Sequence, residues 1–215
     1  MRADALRRVA WVALLVGGLG LEGARAQNSF GGPAPMAPAT GATPAPPSPP
    51  GGSAPGAGQR SELPDPVERQ DFGVAPSTEL HAGAMHGPTP ASIPGGRIIT
   101  TNELVELRRG GAVRALVFDV LGGPEALPGA VAAVPAHQPG SFNDAVQREF
   151  GRFLEQMTQG RKDTPLVFYC QSVECWMSYN ASLRAIRMGY TQVLWYRGGI
   201  EAWKRAGQSV QSAAR

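Results

Sequence analysis

Residues 168–181, "FYCQSVECWMSYNA", decide how this sequence is interpreted, because they hold both cysteines of the chain, Cys170 and Cys175. Four residues separate the two cysteines. The apolar residues 166–169 predict a short buried strand before the first cysteine, and the residues after Trp176 predict a helix. The cysteine pair is therefore expected in a loop that joins the carboxyl end of a strand to the start of a helix.

The sequence on either side of this loop alternates between apolar runs and amphipathic stretches. Residues 115–120 and 192–196 are short apolar runs, as expected for strands that are covered on both faces. Residues 141–160 carry apolar residues at helical spacing, and a capping box of Thr100 and Glu103 starts an earlier helix. This alternation predicts an α/β fold with a central parallel sheet flanked by helices. The functional site of such a sheet lies beyond the carboxyl ends of its strands, where the cysteine loop is expected.

Residues 1–26 have the pattern of a secretory signal peptide. Arginines precede an apolar run over residues 9–21, and the small residues Ala24 and Ala26 follow it. The run is shorter than the roughly 20 residues that span a bilayer, so cleavage is predicted and no membrane attachment after it. The mature protein is predicted to be periplasmic or secreted, in an oxidising compartment where cysteine pairs persist as disulfides.

The next segment, residues 27–96, is predicted to be a disordered linker rich in Pro, Gly and Ala. Most of the chain's 20 prolines lie in it, and it has few large apolar side chains to offset the entropy of ordering. A single folded domain is predicted over residues 97–210. The net charge of +3 is mild and no run of Lys or Arg occurs, which excludes nucleic acid as a predicted partner.

The cysteine loop can favour thiolate chemistry without a histidine. Backbone N–H groups of such a loop can point at the sulfur, and the next helix adds its partially positive N-terminus. Three interpretations of Cys170 remain open: it is a reactive thiol, half of a static disulfide, or an inert core residue. Cys175 is a resolving or redox partner, or it is structural. A loop of this length can bring two Cα atoms within the about 4.4–6.8 Å that a disulfide needs.

Other residues are candidates by position. Arg197 follows the carboxyl end of a strand and is a candidate for binding an anionic substrate. Ser178 is expected to cap the helix after the loop. The spacing of the cysteines, without a histidine pair, predicts no metal site, and no cofactor is predicted. The candidate active-loop residues are Gln171, Ser172, Val173, Glu174 and Trp176.

Five short motifs occur in the order that is typical of rhodanese-like domains. They are "DV" (119–120), "LPGA" (127–130), "VFYC" (167–170), "GY" (189–190) and "GGIEAW" (198–203). The sequence resembles that family over roughly residues 97–208. The resemblance implies a rhodanese-like α/β fold with Cys170 in the active-loop position, where family members carry a persulfide. "CWMSYNA" and "WYRGG" further resemble the exported CXXCW-motif subgroup associated with pyrroloquinoline-quinone (PQQ)-dependent alcohol catabolism.

The resemblance implies sulfurtransferase or thiol/persulfide redox chemistry at Cys170, with a small sulfur donor or a thiol acceptor. Three features differ from the family pattern. Residues 171–174 carry no cation, Leu121 stands where an arginine often follows the strand Asp, and the spacing from Cys170 to Gly189 is about two residues longer. The missing cations favour an alternative, a non-catalytic binding module that docks a periplasmic quinoprotein dehydrogenase or cytochrome. A phosphatase-like loop is disfavoured because phosphate chemistry needs an arginine there.

Overall fold

Five short parallel strands form the central sheet of the computed structural model, which describes residues 66–110 and 114–213. A separate antiparallel pair joins β3 (Glu125–Ala126) to β7 (Gln211–Ser212), so the folded chain extends slightly beyond the predicted limit of residue 210. The strands of the central sheet are β1 (Arg97–Ile98), β2 (Leu116–Asp119), β4 (Val131–Ala132), β5 (Leu166–Tyr169) and β6 (Val193–Tyr196), in the order β1-β6-β5-β2-β4.

Helices cover both faces of this sheet, and they are α1 (Thr101–Arg109), α2 (Ala145–Thr158), α3 (Met177–Arg187) and α4 (Gly199–Arg205). Because side chains of a strand alternate between faces, Phe118 and Phe168 pack with α2 and α3, whereas Val117 and Val167 pack with α1 and α4. The predicted α/β architecture, a central parallel sheet flanked by helices, is therefore confirmed.

The sequence predicted the start of α1 from a capping box and the start of α2 from helical spacing that begins at residue 141. The capping box of Thr100 and Glu103 at α1 is confirmed. Helix α2 begins later than predicted, because Asp144 is its cap: its carboxylate accepts a hydrogen bond from the Gln147 N–H at 2.7 Å. Ser141 lies outside the helix, and its own N–H donates to Asp144 at 3.0 Å. The carboxylate thus satisfies backbone donors on both sides of the helix start.

Residues 66–96, here called the N-terminal strap, are packed against the domain, so the prediction of disorder is wrong for this part of the linker. The strap begins with a 3₁₀ turn (Pro66–Arg69), in which Glu68 is fully buried and accepts from the Thr101 N–H at 2.9 Å. Ile93 of the strap is also buried. The predicted signal peptide and residues 27–65 lie outside the described residues. Within the part that is described, no helix is long and apolar enough to cross a membrane.

Candidate functional site

Both cysteines lie at the carboxyl edge of the sheet and are joined by a disulfide bond. Cys170 directly follows β5, and Cys175 lies two residues before α3. Their Cα atoms are 6.4 Å apart, within the range that a disulfide allows. Cys170 is 1% exposed and Cys175 is 0% exposed. The structure therefore brings the two predicted residues together, and it holds them away from solvent.

The start of the loop is held by the first turn of α4. The N–H of Ile200 donates to the carbonyl oxygen of Cys170 at 3.0 Å, and the N–H of Glu201 donates to that of Gln171, also at 3.0 Å. Gly199 has φ +63°, and a Cβ built on it would lie 2.5 Å from the Cys170 carbonyl oxygen. Only glycine lets the two backbones approach this closely. Gly199 thus positions the Cys170 end of the loop.

Contrary to the prediction, the backbone N–H groups at the end of the loop bond to oxygen acceptors and do not point at the sulfur. The Glu174 N–H donates to the Ser172 hydroxyl at 3.3 Å, and the Cys175 N–H donates to the Ser172 carbonyl at 3.2 Å. The Trp176 N–H donates to the carbonyl oxygen of Met85, at 2.9 Å. These three donors are therefore unavailable to a sulfur anion in this conformation.

A side-chain hydroxyl contacts the sulfur instead. The Oγ of Ser178 lies 3.2 Å from the Sγ of Cys170, and it accepts a hydrogen bond from the Trp195 indole at 3.0 Å. The prediction that Ser178 caps α3 is wrong, since Trp176 holds the cap position and no side chain caps this helix start. Sequence pattern carried no signal for this contact, because a serine near a helix start usually indicates a cap.

The strap covers the cysteine loop. His86 of the strap forms an antiparallel bridge with Cys175, and the Gly87 N–H donates to the Glu174 carbonyl oxygen at 2.8 Å. Sequence analysis missed this contact, because the strap has no strand-like periodicity. The large apolar residues of the strap, which are more frequent there than in residues 27–65, were the available signal. The burial of the disulfide is therefore a property of the strap and the domain together.

The candidate loop residues divide into covered and outward-facing side chains. Gln171 and Glu174 are exposed, and Ser172 is half-buried. Val173 and Trp176 are buried. The outer surface of the loop is therefore formed by an amide and a carboxylate.

Arg197 was predicted as a candidate for binding an anionic substrate. Its side chain is buried instead, with only 1% exposed. Its guanidinium donates to the carbonyl oxygens of Gln70 (2.7 Å), Glu68 (3.2 Å) and Thr89 (2.9 Å). Its Nε donates to the Thr89 hydroxyl at 2.9 Å, and its Cζ lies 5.1 Å from the centre of the Phe72 ring. Burial lowers the pKa of Arg197. This cation binds the strap, and its donors are used there.

A buried pair next to the loop holds the ends of β2 and β5. The Tyr169 hydroxyl accepts from the Leu127 N–H at 3.0 Å and is hydrogen-bonded to Asp119. Burial raises the pKa of Asp119, against hydrogen bonds from Gly122, Leu121 and Tyr169 that lower it. Burial also raises the pKa of Tyr169, and the negative charge of Asp119 raises it further. These groups are structural.

Metal binding has no candidate site in residues 66–110 and 114–213. No three His, Cys, Asp or Glu side chains of this part of the chain are grouped closely enough to hold an ion. The ring of His81 instead stacks on Trp176, with the ring centres 4.0 Å apart.

The chain is similar to several known proteins. A "Sulfurtransferase" from Allochromatium vinosum is 38% identical over 71 residues, and the match spans 33% of this chain and 64% of that protein. The solution structure of the rhodanese-like domain of an Anabaena protein is 17% identical, covering 53% of this chain and 76% of that one, with a TM-score of 0.38. A Bacillus halodurans protein is 20% identical, covering 51% and 71%, with a TM-score of 0.36.

The model of the rhodanese-like domain family matches residues 100–206, which include all four helices and the loop after β5. The chain therefore carries a rhodanese-like domain, with Cys170 and Cys175 in the loop that follows its central strand.

Proposed function

We propose that the protein performs thiol and persulfide chemistry at Cys170, with Cys175 as the resolving thiol. The observation that carries this proposal is the disulfide between them, in the loop after β5. The family resemblance implies a persulfide at Cys170, and the matching Allochromatium vinosum protein is described as a sulfurtransferase. A second thiol within bonding distance gives such a persulfide an intramolecular attacker.

The proposed reaction uses a persulfide as the sulfur donor and a dithiol as the reductant. The Cys170 thiolate takes the outer sulfur of the donor R–S–SH, and the donor leaves as the thiol R–SH. The Cys175 thiolate then attacks the Cys170 Sγ, whose bond to the outer sulfur breaks, and that sulfur leaves as hydrosulfide with the electron pair. The two cysteines are oxidised to the disulfide while the transferred sulfur is reduced. A dithiol then reduces the disulfide and is itself oxidised to a disulfide.

The charge of the loop favours a donor other than thiosulfate. Glu174 is exposed, and the exposed Gln171 is hydrogen-bonded to Glu201 at 2.8 Å. Both carboxylates repel a dianion, and residues 171–174 provide no cation to offset them. A thiol persulfide carries less charge than thiosulfate and meets less repulsion.

We further propose that the protein is exported and serves PQQ-dependent alcohol catabolism beside a periplasmic quinoprotein dehydrogenase or cytochrome. The signal-like residues 1–26 and the Cys175-Trp176 pair support this proposal. An oxidising compartment would keep the disulfide formed until a dedicated reductant opens it.

A second candidate is a non-catalytic binding module that docks such a dehydrogenase or cytochrome. The burial of both cysteines beneath the strap favours it, because a donor cannot reach either sulfur while the strap stays in place. A docking function would need neither thiol to react.

Intact mass of the reduced full-length protein tests the proposal. After incubation with a polysulfide donor, Cys175→Ser should gain the mass of one sulfur atom, and Cys170→Ser should gain none. The wild-type protein should release sulfide and become two hydrogens lighter. The proposal fails if folded Cys175→Ser gains no sulfur from either polysulfide or thiosulfate, and the binding module is then the better account.

A further inference from the structure

The buried chain from Trp195 through Ser178 to Cys170 has a defined direction. An indole N–H can only donate, so the Ser178 Oγ must be its acceptor. A serine hydroxyl has a single proton, and that proton remains available to the Cys170 Sγ at 3.2 Å. All three residues are at most 1% exposed, so water does not compete for the proton.

The usual role of a serine in a helix does not account for this contact. Ser182, one turn further along α3, donates to the Ser178 carbonyl oxygen at 2.8 Å, which is the common way for a helical serine to use its proton. For Ser178 the equivalent acceptor would be the carbonyl oxygen of Glu174, which accepts from the Gly87 N–H of the strap at 2.8 Å, whereas the Ser178 hydroxyl lies 3.2 Å from the Cys170 Sγ. The Ser178 hydroxyl is thus directed to the sulfur.

We propose that Ser178 is a catalytic residue that stabilises the Cys170 thiolate, and that Trp195 is its positioning residue. This inference rests on the proposed function, and it concerns which of the two sulfurs is released first when the disulfide is reduced. When a reductant thiolate attacks the Cys175 Sγ, the disulfide bond breaks and its electron pair goes to the Cys170 Sγ. The new thiolate accepts the Ser178 hydrogen bond, so Cys170 is the sulfur that leaves first and takes up the next sulfur atom.

Thiolate absorbance during a pH titration tests this, because it needs no reagent to reach the buried sulfur. The full-length Cys175→Ala variant keeps Cys170 as the single thiol. Adding Ser178→Ala should raise the titration midpoint by about one pH unit, since a hydrogen bond to the charged form is lost. Adding Ser182→Ala removes an equally buried hydroxyl of the same helix and should leave the midpoint within about 0.3 units. Adding Trp195→Phe should raise it by less than Ser178→Ala does.

Equal midpoints for the Ser178→Ala and Ser182→Ala proteins, both folded by circular dichroism, would overturn the inference. If the Ser178→Ala protein does not fold, an unchanged midpoint in folded Trp195→Phe overturns it instead. The proposed function fails separately. A shifted midpoint in a protein that never gains sulfur would support the role of Ser178 and reject sulfur transfer, whereas sulfur gain with equal midpoints would do the reverse.

Discussion

The side-chain amide of Asn180 holds the backbone of His81 through two hydrogen bonds. Its Oδ1 accepts from the His81 N–H at 2.8 Å, and its Nδ2 donates to the His81 carbonyl oxygen at 2.9 Å. The ring of His81 stacks on Trp176, which ends the cysteine loop. The fully buried Asn180 lies on α3. The helix that follows the loop thus also fastens the strap that covers it.

Asn180→Ala should therefore open the strap more often and speed reduction of the disulfide by a dithiol. Losing these two hydrogen bonds to the strap, of about 1 kcal/mol each, raises the population of the open form, so we expect about a thirtyfold faster reduction. Disulfide reduction is followed by quenched alkylation and mass. Gln147→Ala is the control, because it removes another buried amide, bonded to the Arg184 carbonyl, that does not touch the strap. Equal rates in the two variants would contradict a gating strap.

The sheet and helices could be predicted because local sequence determines them. The apolar runs of β2, β5 and β6 reflect strands covered on both faces, and Thr100 and Glu103 start α1 through neighbours in sequence. The strap could not be predicted in this way. Its segment lacks periodicity, and its anchors, such as Asn180 and Tyr179, are single polar groups about 100 residues away that pair only in the folded chain.

The position of the cysteine pair could be predicted from the sequence, but its surroundings could not. The sequence predicts both cysteines in one short loop at a strand end, and the structure joins them there by a disulfide bond. The environment of the pair was beyond sequence reasoning. Arg197 has the position of an anion-binding residue, but the carbonyl oxygens that it binds belong to a segment which returns from far away in sequence. The partner of the Ser178 hydroxyl likewise depends on packing between α3 and β6.

Arg197→Lys should detach part of the strap and lower the free energy of unfolding by about 2–4 kcal/mol. A lysine cannot reproduce the forked donation to the carbonyl oxygens of Gln70, Glu68 and Thr89. Chemical denaturation measures the loss. The rate at which the Cys175→Ser protein gains sulfur should depend on ionic strength to the same extent with and without the Arg197→Lys substitution. A weaker dependence would mean that Arg197 attracts the donor after all.

Gly199→Ala should destabilise the protein more than Gly160→Ala does. Both glycines have positive φ, of +63° and +77°, so each alanine costs about 1 kcal/mol for the backbone alone. A Cβ at Gly160 meets no atom within 4 Å, whereas a Cβ at Gly199 meets the Cys170 carbonyl oxygen at 2.5 Å. We expect Gly199→Ala to lower the free energy of unfolding by about 3 kcal/mol or more. Equal losses in denaturation would show that the turn tolerates a side chain.

The ion pair of Asp144 with the buried Arg184 predicts a dependence of stability on pH. The Arg184 Nη2 lies 2.9 Å from the Asp144 Oδ2. Burial raises the pKa of Asp144, but hydrogen bonds from Arg184, Gln147 and Ser141 outweigh it and lower the pKa overall. A carboxyl with a lowered folded-state pKa stabilises the protein above its unfolded pKa of about 4, and this stabilisation is lost as the pH falls below that value.

Asp144→Asn should therefore lower the free energy of unfolding by about 2 kcal/mol at pH 7, and the difference from wild type should shrink as the pH falls below about 4. Asparagine is also a good helix cap, so the substitution removes the charge and leaves the start of α2 intact. Glu106→Gln is the matched control, because its partner Arg109 and Glu106 itself are both 70% exposed and their pairing contributes little. Urea denaturation at several pH values measures both variants. A difference between Asp144→Asn and wild type that stays constant down to pH about 2 would show that the charge of Asp144 is not what stabilises the contact.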